Sequence, residues 1–304
     1  MKTSILATVL CLVAAAAATA KNPERPHILG IAGVRIYVSN MATARTFYKA
    51  AADTARRCDW CGKVDPSAFK LPSGQFILLS PADKDPENNL LAEISFDANH
   101  LKELTRLLKS NQIRYTTEKQ NGMISIVRLR DPEGHSLVFL EANAVRKYDA
   151  FHPTNGPGSV KRERIIHAGF IVNDRTAMDH FYKDILGFHL YWHGGMTDDK
   201  TQWVDMQVPD GTDWIEYMLN VPVDADAHTR GVMNHIAIGV PDVQLAAKEL
   251  EKNGAPLAEQ PKIGRDGKWQ LNLYDPDQTR VELMEFTPVE KPCCAEYTGP
   301  HPKP

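Results

Sequence analysis

The chain has 304 residues, of which 43% are apolar and 24% charged, and its formal net charge is −3. This composition is typical of a globular protein long enough for one large or two medium domains, and it excludes a disordered chain or a fibre. The basic residues form no stripe or cluster, so the sequence predicts no nucleic-acid partner.

Residues 1–20 are typical of a secretory signal peptide. Lys2 forms a short basic region, residues 5–18 form an apolar run, and small residues precede a cleavage point after Ala20. The run is too short for a membrane anchor and is followed at once by Lys21. We therefore predict a secreted or periplasmic protein that has no membrane association after cleavage and carries 34 basic and 38 acidic side chains.

Four cysteines remain in the predicted mature chain, as one pair in CDWC and one pair near the C-terminus: Cys58, Cys61, Cys293 and Cys294. An oxidising compartment makes disulfides the first interpretation, although the sequence leaves their connectivity open. A redox-active CDWC would need a helix start, and here it lies between a predicted helix and a strand. A zinc knot that joins both pairs is equally disfavoured.

The chain contains an internal repeat. Residues separated by 134 positions are identical at Val38/Val172, Phe47/Phe181, Tyr48/Tyr182 and Lys49/Lys183. Later in each copy, residues separated by 144 positions are identical at Asp131/Asp275, Pro132/Pro276 and Glu141/Glu285. Such spacing indicates a duplicated module.

The repeat divides the chain into six segments. These are a signal peptide (1–20), an N-terminal segment (21–27), module one (28–143), a linker (144–162), module two (163–288) and a tail rich in proline and cysteine (289–304). The linker contains HPTNGPGS, whose proline and glycine residues are typical of a connector.

Each module divides again into two βαβββ units. In module two, helices follow the N-cap residues Asp174 and Asp242 and end at Gly187 and Gly254. Strands are predicted at HAGFIVND, FHLYWH, TQWVDMQV, WIEYML, HIAIGVPD and VELMEF. The predicted fold class is α+β, with four βαβββ units forming two modules.

Four residues of module two predict a metal site. His167 and His235 open two strands, and Glu216 and Glu282 follow them by 49 and 47 residues on the closing strands. Because side chains at i and i+2 share one face of a strand, all four can point at one spot. Imidazole and carboxylate together suit one divalent ion such as Zn, Ni, Fe(II) or Co. The alternative is that the histidines are ordinary strand residues and the glutamates are edge charges. Four placements related by an internal repeat disfavour this alternative, as does the cost of burying carboxylates without a partner.

This arrangement resembles the vicinal oxygen chelate superfamily, which includes glyoxalase I, extradiol dioxygenases, methylmalonyl-CoA epimerase and fosfomycin-resistance proteins. The resemblance implies that each module curls into a half-open barrel and that one metal lies in its concavity. His167, His235 and Glu282 match the family's ligands. Glu216 is similar to a further glutamate of glyoxalase I that extradiol dioxygenases lack.

Module one departs from the family pattern at the ligand positions. Gly33 stands where His167 would be, Val138 stands opposite Glu282, and FILLS offers no carboxylate. We therefore expect module one to hold no metal and to support module two. The segment WQLNLYDPDQ also lacks the further histidine of extradiol dioxygenases, and its Tyr274 directly precedes Asp275, which disfavours ring cleavage.

The resemblance implies an enzyme in which Glu216 and Glu282 are catalytic. The metal would neutralise developing enediolate charge on a small substrate chelated through adjacent oxygens, and a carboxylate would move a proton between neighbouring carbons. A lyase or isomerase is favoured; the alternatives are an extradiol-type Fe(II) dioxygenase and a metal-bridged protein that sequesters a small molecule. The oligomeric state is left open.

Strand parity predicts the walls of the substrate pocket. Trp214 and Met218 share the face of Glu216, and Arg280 and Met284 share that of Glu282. Ordinary core packing is the alternative for the tryptophan and the two methionines, and a solvated rim charge for the arginine. His189, Tyr191 and His193 are predicted to be surface residues of an outer strand.

Overall fold

The computed structural model describes residues 25–52, 67–82, 89–120, 124–141, 160–255 and 257–304. The predicted signal peptide, Cys58, Cys61 and most of the predicted linker lie outside these residues. No helix within the described ranges is both long and apolar enough to cross a bilayer.

Module one forms a sheet of seven strands in the order β2-β3-β1-β4-β7-β6-β5. Its strands are β1 (His27–Val38), β2 (Ala68–Lys70), β3 (Phe76–Pro81), β4 (Leu91–Asn99), β5 (Tyr115–Gln120), β6 (Ile124–Arg130) and β7 (Ser136–Glu141). Its helices are α1 (Met41–Ala51) and α2 (Leu101–Ser110).

Module two forms a sheet of eight strands in the order β13-β14-β15-β12-β8-β11-β10-β9. Its strands are β8 (Arg164–Val172), β9 (His189–Gly194), β10 (Trp203–Gln207), β11 (Trp214–Leu219), β12 (His235–Val240), β13 (Lys262–Ile263), β14 (Trp269–Tyr274) and β15 (Arg280–Glu285). Its helices are α3 (Arg175–Asp179), which continues as a π-helix (His180–Ile185), α4 (Ala227–Met233) and α5 (Val243–Lys252).

The first and last strands of each unit lie side by side and parallel. β8 pairs with β11 and β12 with β15 in module two, as β1 pairs with β3 and β4 with β7 in module one. Both sheets therefore curl, and the predicted α+β class with two modules that each form one mixed sheet is confirmed.

Both predicted helix caps of module two form, while the helices of this module differ from the prediction in two respects. Asp174 accepts a hydrogen bond from Ala177 N at 3.0 Å, and Asp242 accepts one from Leu245 N at 2.8 Å. The first of these helices widens into π geometry in its second half. Helix α4 was not predicted, because it is short and lies in a segment that reads as a loop between two units.

The residues that reveal the repeat hold the two modules together. The Tyr48 hydroxyl of module one donates to Asp275 of module two at 3.0 Å, and the Tyr182 hydroxyl of module two donates to Asp131 of module one at 3.0 Å. Both tyrosines are fully buried. The tyrosine and the aspartate of the repeated motifs therefore form a reciprocal contact between the two modules.

Replacing Tyr182 by Phe is expected to lower the free energy of unfolding by about 1–3 kcal/mol, because the buried carboxylate of Asp131 loses a donor. Urea denaturation measures this loss, with Tyr37→Phe as the matched control because Tyr37 is 37% exposed. Equal stabilities of the two variants would contradict an energetic role for the contact.

Candidate metal centre

The register of four consecutive strands, β15, β12, β8 and β11, brings four predicted ligands to one face of the second sheet. On β8, His167 lies opposite Ala237 of β12, and Ala237 lies opposite Glu282 of β15. Two residues along β8, Gly169 lies opposite both Glu216 and His235. Residues opposite each other or two apart along a strand share a face, so all four side chains point into the same concavity.

Gly169 leaves the space that the His235 ring fills. A Cβ atom at position 169 would lie 2.1 Å from Cε1 of His235, well inside contact distance. The imidazole of His235 therefore packs directly against Gly169, in space that any larger residue would occupy.

The donor atoms lie close to one another. His167 Nε2 is 3.1 Å from His235 Nε2, and Glu216 Oε2 is 3.0 Å from His235 Nε2 and 3.8 Å from His167 Nε2. Glu282 Oε2 is 3.5 Å from His167 Nε2. Separations of this size are those of ligands that each lie about 2.0–2.2 Å from one shared ion.

The protonation of the two histidines suits metal binding. Burial lowers the pKa of both imidazoles well below the usual value, so each is neutral and has one nitrogen lone pair. His235 Nδ1 lies 3.2 Å from the carbonyl oxygen of Met233, which leaves Nε2 as the acceptor. His167 Nδ1 is buried and has no partner among the described residues, so its tautomer is not held in the same way.

The donor set fits a divalent ion. Two Nε2 lone pairs cannot satisfy each other, since a hydrogen bond between them needs one N–H, and two carboxylates face the same space. Buried donors of this kind are costly unless a cation joins them. The guanidinium of Arg280 meets this need in part, because its Nη2 atom lies 2.7 Å from His235 Nε2. His167, His235, Glu216 and Glu282 would hold the ion, and His167, His235 and Glu282 form a compact set whose donor atoms all lie within 4.8 Å of one another.

A cavity of about 420 Å³ is lined by three of the four donors, His167, Glu216 and Glu282. The four residues that strand parity placed in the pocket all line it: Trp214, Met218, Arg280 and Met284. Three of them are also buried core residues, so the pocket and core interpretations both describe Trp214, Met218 and Met284. Two further tryptophans, Trp192 and Trp203, complete an apolar wall.

Three buried charged residues near this cavity escaped the sequence analysis. Asp205 and Asp266 line the cavity, and Asp205 lies directly opposite Glu216 between β10 and β11. The ammonium of Lys268, which is fully buried, lies 4.0 Å from Asp266 and 4.4 Å from the ring centre of Trp214. Strand parity could have identified Asp205, because it faces inward in TQWVDMQV. Nothing in the sequence DGK indicates that Lys268 is buried.

The ammonium of Lys268 is enclosed by aromatic rings. Besides Trp214, the rings of Tyr297 and Tyr191 lie 5.0 Å and 5.3 Å from Nζ. Burial lowers the pKa of this lysine, while the neighbouring Asp266 and Asp205 oppose that shift.

The C-terminal tail covers the outer strand β9 and corrects one prediction. Tyr191, expected at the surface, is fully buried, because Tyr297 packs on its ring at 4.7 Å and Thr298 N donates to its carbonyl oxygen at 3.0 Å. His189 and His193 are half-buried. The sequence could not show this, since the tail has no periodic pattern to identify what it covers.

Within the tail, Cys293 and Cys294 form a disulfide with each other. The sequence analysis left their pairing open. Cys293 N donates to the carbonyl oxygen of Arg265 at 2.8 Å, which attaches the tail to the loop between β13 and β14.

In module one the corresponding space is filled by a side chain. A Cβ atom at Gly33, the counterpart of His167, would lie 2.4 Å from the ring of Phe76. Phe76 and Val138 belong to a small apolar cluster on this face. Arg128 of β6 forms an ion pair of 2.5 Å with Glu93 of β4, across the intervening strand β7.

Metal affinity is expected to fall about tenfold per pH unit below pH 7 and to level off above it. Burial raises the pKa of Glu282 to about 7, so acid protonates a carboxylate that the ion needs. Both imidazoles are already neutral in this range because their pKa values are lowered.

Isothermal titration of Zn²⁺ between pH 5.5 and 8.5 measures this dependence. Glu282→Gln should bind more weakly at every pH and lose the step near pH 7. A step of the same size in that variant would assign the titration to another group.

Comparison with known proteins places the chain among relatives of one fold. Residues 164–283 match the model of the Glyoxalase/Bleomycin resistance protein/Dioxygenase superfamily. No curated protein sequence is significantly similar to this chain.

Several solved structures share the fold of both modules. A catechol 2,3-dioxygenase matches with a TM-score of 0.62 and 16% identity over 91% of this chain and 96% of the other. Homoprotocatechuate 2,3-dioxygenase from Arthrobacter globiformis matches with a TM-score of 0.63 and 16% identity over 86% and 80%. The enzyme of that name from Brevibacterium fuscum, in complex with 3,4-dihydroxyphenylacetate, matches with a TM-score of 0.60 and 17% identity over 91% and 84%. Residues 164–283, which lie in module two, therefore form a domain of the superfamily of glyoxalases, bleomycin resistance proteins and dioxygenases.

Proposed function

We propose that this protein is a metal-dependent enzyme that binds a small substrate through two adjacent oxygens and transfers a proton between neighbouring carbons. The position of Glu216 carries this proposal. Its carboxylate oxygen lies 3.0 Å from His235 Nε2 and 3.8 Å from His167 Nε2, close enough to add a fourth ligand to the compact set of three. Four protein ligands leave two positions of an octahedral ion for substrate oxygens, whereas three ligands leave room for dioxygen as well.

A divalent ion held by these residues would act as a Lewis acid toward the two substrate oxygens. The chain supplies the groups that move the proton. Glu216 and Glu282 both line the cavity, with side-chain exposures of 14% and 4%. The carboxylate nearer the cavity, Glu216, is the favoured base, and such a group typically contributes roughly 10²–10⁴-fold in rate.

The walls of the cavity support a small and partly apolar substrate. Trp192, Trp203 and Trp214 exclude water from one side of the donor set. Exclusion of water strengthens the attraction between charged groups and a developing negative charge.

An extradiol-type Fe(II) dioxygenase is the second candidate. The compact set of His167, His235 and Glu282 is a two-histidine, one-carboxylate triad of the kind that non-haem Fe(II) oxygenases use. The solved structures of similar fold are also dioxygenases. Against it, the described lining of the cavity includes no histidine other than His167.

Metal analysis and two assays separate these candidates. The protein is loaded with Zn²⁺, Ni²⁺, Co²⁺ or Fe²⁺ and given hydroxyacetone in D₂O, and loss of the C–H proton signal is followed by NMR. Catechol-dependent oxygen uptake is measured in parallel. Proton exchange that Glu216→Gln abolishes is the expected result, whereas oxygen uptake by the Fe²⁺ form without proton exchange would replace this proposal with the dioxygenase.

We also propose, from residues 1–20, that the protein is exported. Mass spectrometry of the protein from its native host should find a chain that begins near Lys21. An intact Met1 in the mature protein would contradict export by this route.

A further inference from the structure

Arg280 lies among the proposed metal ligands but is not one of them. It begins β15, two residues before Glu282 and on the same face, and it lines the cavity. Its Nη2 atom is 2.7 Å from Nε2 of His235. Its Nε atom is buried without a hydrogen-bond partner, and no ion pair joins Arg280 to a carboxylate of the described residues.

The contact between Arg280 and His235 excludes metal coordination by the same atom. An imidazole nitrogen has one lone pair, and a guanidinium has only donors. Because Arg280 Nη2 donates to His235 Nε2, that lone pair is already used. His235 Nδ1 faces the Met233 carbonyl oxygen, so the ring has no second acceptor atom to offer.

We propose that Arg280 competes with the metal for His235 and, once displaced, becomes the residue that binds a negative charge on the substrate. Arg280 lines the cavity, so a displaced guanidinium stays on its wall, and the buried Nε atom has no hydrogen-bond partner among the described residues. Glu282 attracts this charge but makes no ion pair with it, and an anion in the cavity would supply the missing partner. The ligand class is therefore an anion that carries a carboxylate or ionised oxygen next to its chelating oxygens.

The choice of ligand class rests on the proposed function, since it assumes that the metal binds at His235. The order of events follows from the shared lone pair: metal binding precedes anion binding, and each anion that engages Arg280 favours the metal-bound form. Arg280 is then an anion-binding residue that only the metal-loaded protein presents fully.

The test compares Zn²⁺ affinity and oxalate affinity in matched variants. Arg280→Met removes the guanidinium donors and keeps an unbranched apolar side chain. Arg265→Met removes a second guanidinium from the same cavity, one that contacts Asp198 and Gly195 instead of His235. His235→Ala defines the Zn²⁺ binding that occurs elsewhere in the protein. Thermal melting of each metal-free variant confirms that it is folded.

Arg280→Met is expected to bind Zn²⁺ about tenfold or more tightly than the wild type, because a charged hydrogen bond no longer competes, while Arg265→Met changes this affinity less. The Zn²⁺-loaded Arg280→Met protein should bind oxalate about tenfold more weakly than the loaded wild type by isothermal titration.

An unchanged or weaker Zn²⁺ affinity of Arg280→Met, or an unchanged oxalate affinity, overturns the inference. In that case a large loss in His235→Ala still leaves the proposed metal site intact. If His235→Ala binds Zn²⁺ as well as the wild type does, the metal site itself is absent and the proposed function fails too.

Discussion

Replacing His235 by Ala is expected to lower metal affinity by roughly 10²–10³-fold and to remove metal-dependent activity, because a structural site with four ligands is worth about 10–16 kcal/mol in all. His235 Nε2 has the closest contacts to the other donors, at 3.1 Å from His167 and 3.0 Å from Glu216. Elemental analysis after dialysis against a weak chelator measures the loss.

His180→Ala is the matched control for this variant. His180 lies on the helix that continues α3 and its side chain is 68% exposed, so it should keep the metal content of the wild type. Equal metal content in both variants would show that the four side chains do not bind a common ion.

Replacing Lys268 by Met is expected to destabilise the protein by about 3–5 kcal/mol, because removal of one partner leaves buried carboxylates without a counter-charge. Asp266 lies 4.0 Å from the ammonium, and Asp205 is buried nearby. Burial raises the pKa of both carboxyl groups, and Lys268 opposes that shift. Urea denaturation at pH 7.5 measures the difference.

The double variant Lys268→Met/Asp266→Asn should recover part of this loss, because it removes a charge from each side. Lys291→Met is the control, since the Lys291 side chain is 82% exposed and should change stability by less than about 0.5 kcal/mol. A Lys268→Met variant as stable as this control would contradict a stabilising role for the Lys268 ammonium.

The pattern of the chain was enough to predict the α+β class and the two modules. Strand parity indicated that His167, Glu216, His235 and Glu282 could share one face, and the resemblance to the superfamily implied that their strands lie side by side. Parity and repeat spacing are read along the chain, so they need no knowledge of distant contacts. The same reasoning identified Trp214 and Arg280 as cavity residues.

Long-range packing decided what parity could not. The sequence analysis placed Tyr191 at the surface of an outer strand and made no prediction for Lys268. In the structure, Tyr297 of the tail packs against Tyr191 and against the ammonium of Lys268. Only the folded chain determines which residues the tail covers. The contact of Arg280 with His235 depends likewise on the alignment of β15 beside β12.

The amino-acid order by itself determined the type of the main strands and helices of module two, the duplication and the chemical nature of the ligand set, since these follow from periodicity and side-chain chemistry. It did not determine helix α4 or the π geometry that follows α3. The tertiary structure alone decided which charges are buried and that the Arg280 guanidinium reaches the lone pair of His235 Nε2. Burial and direct contact are properties of segments far apart in the chain, and their cost or benefit exists only once the intervening water has been removed.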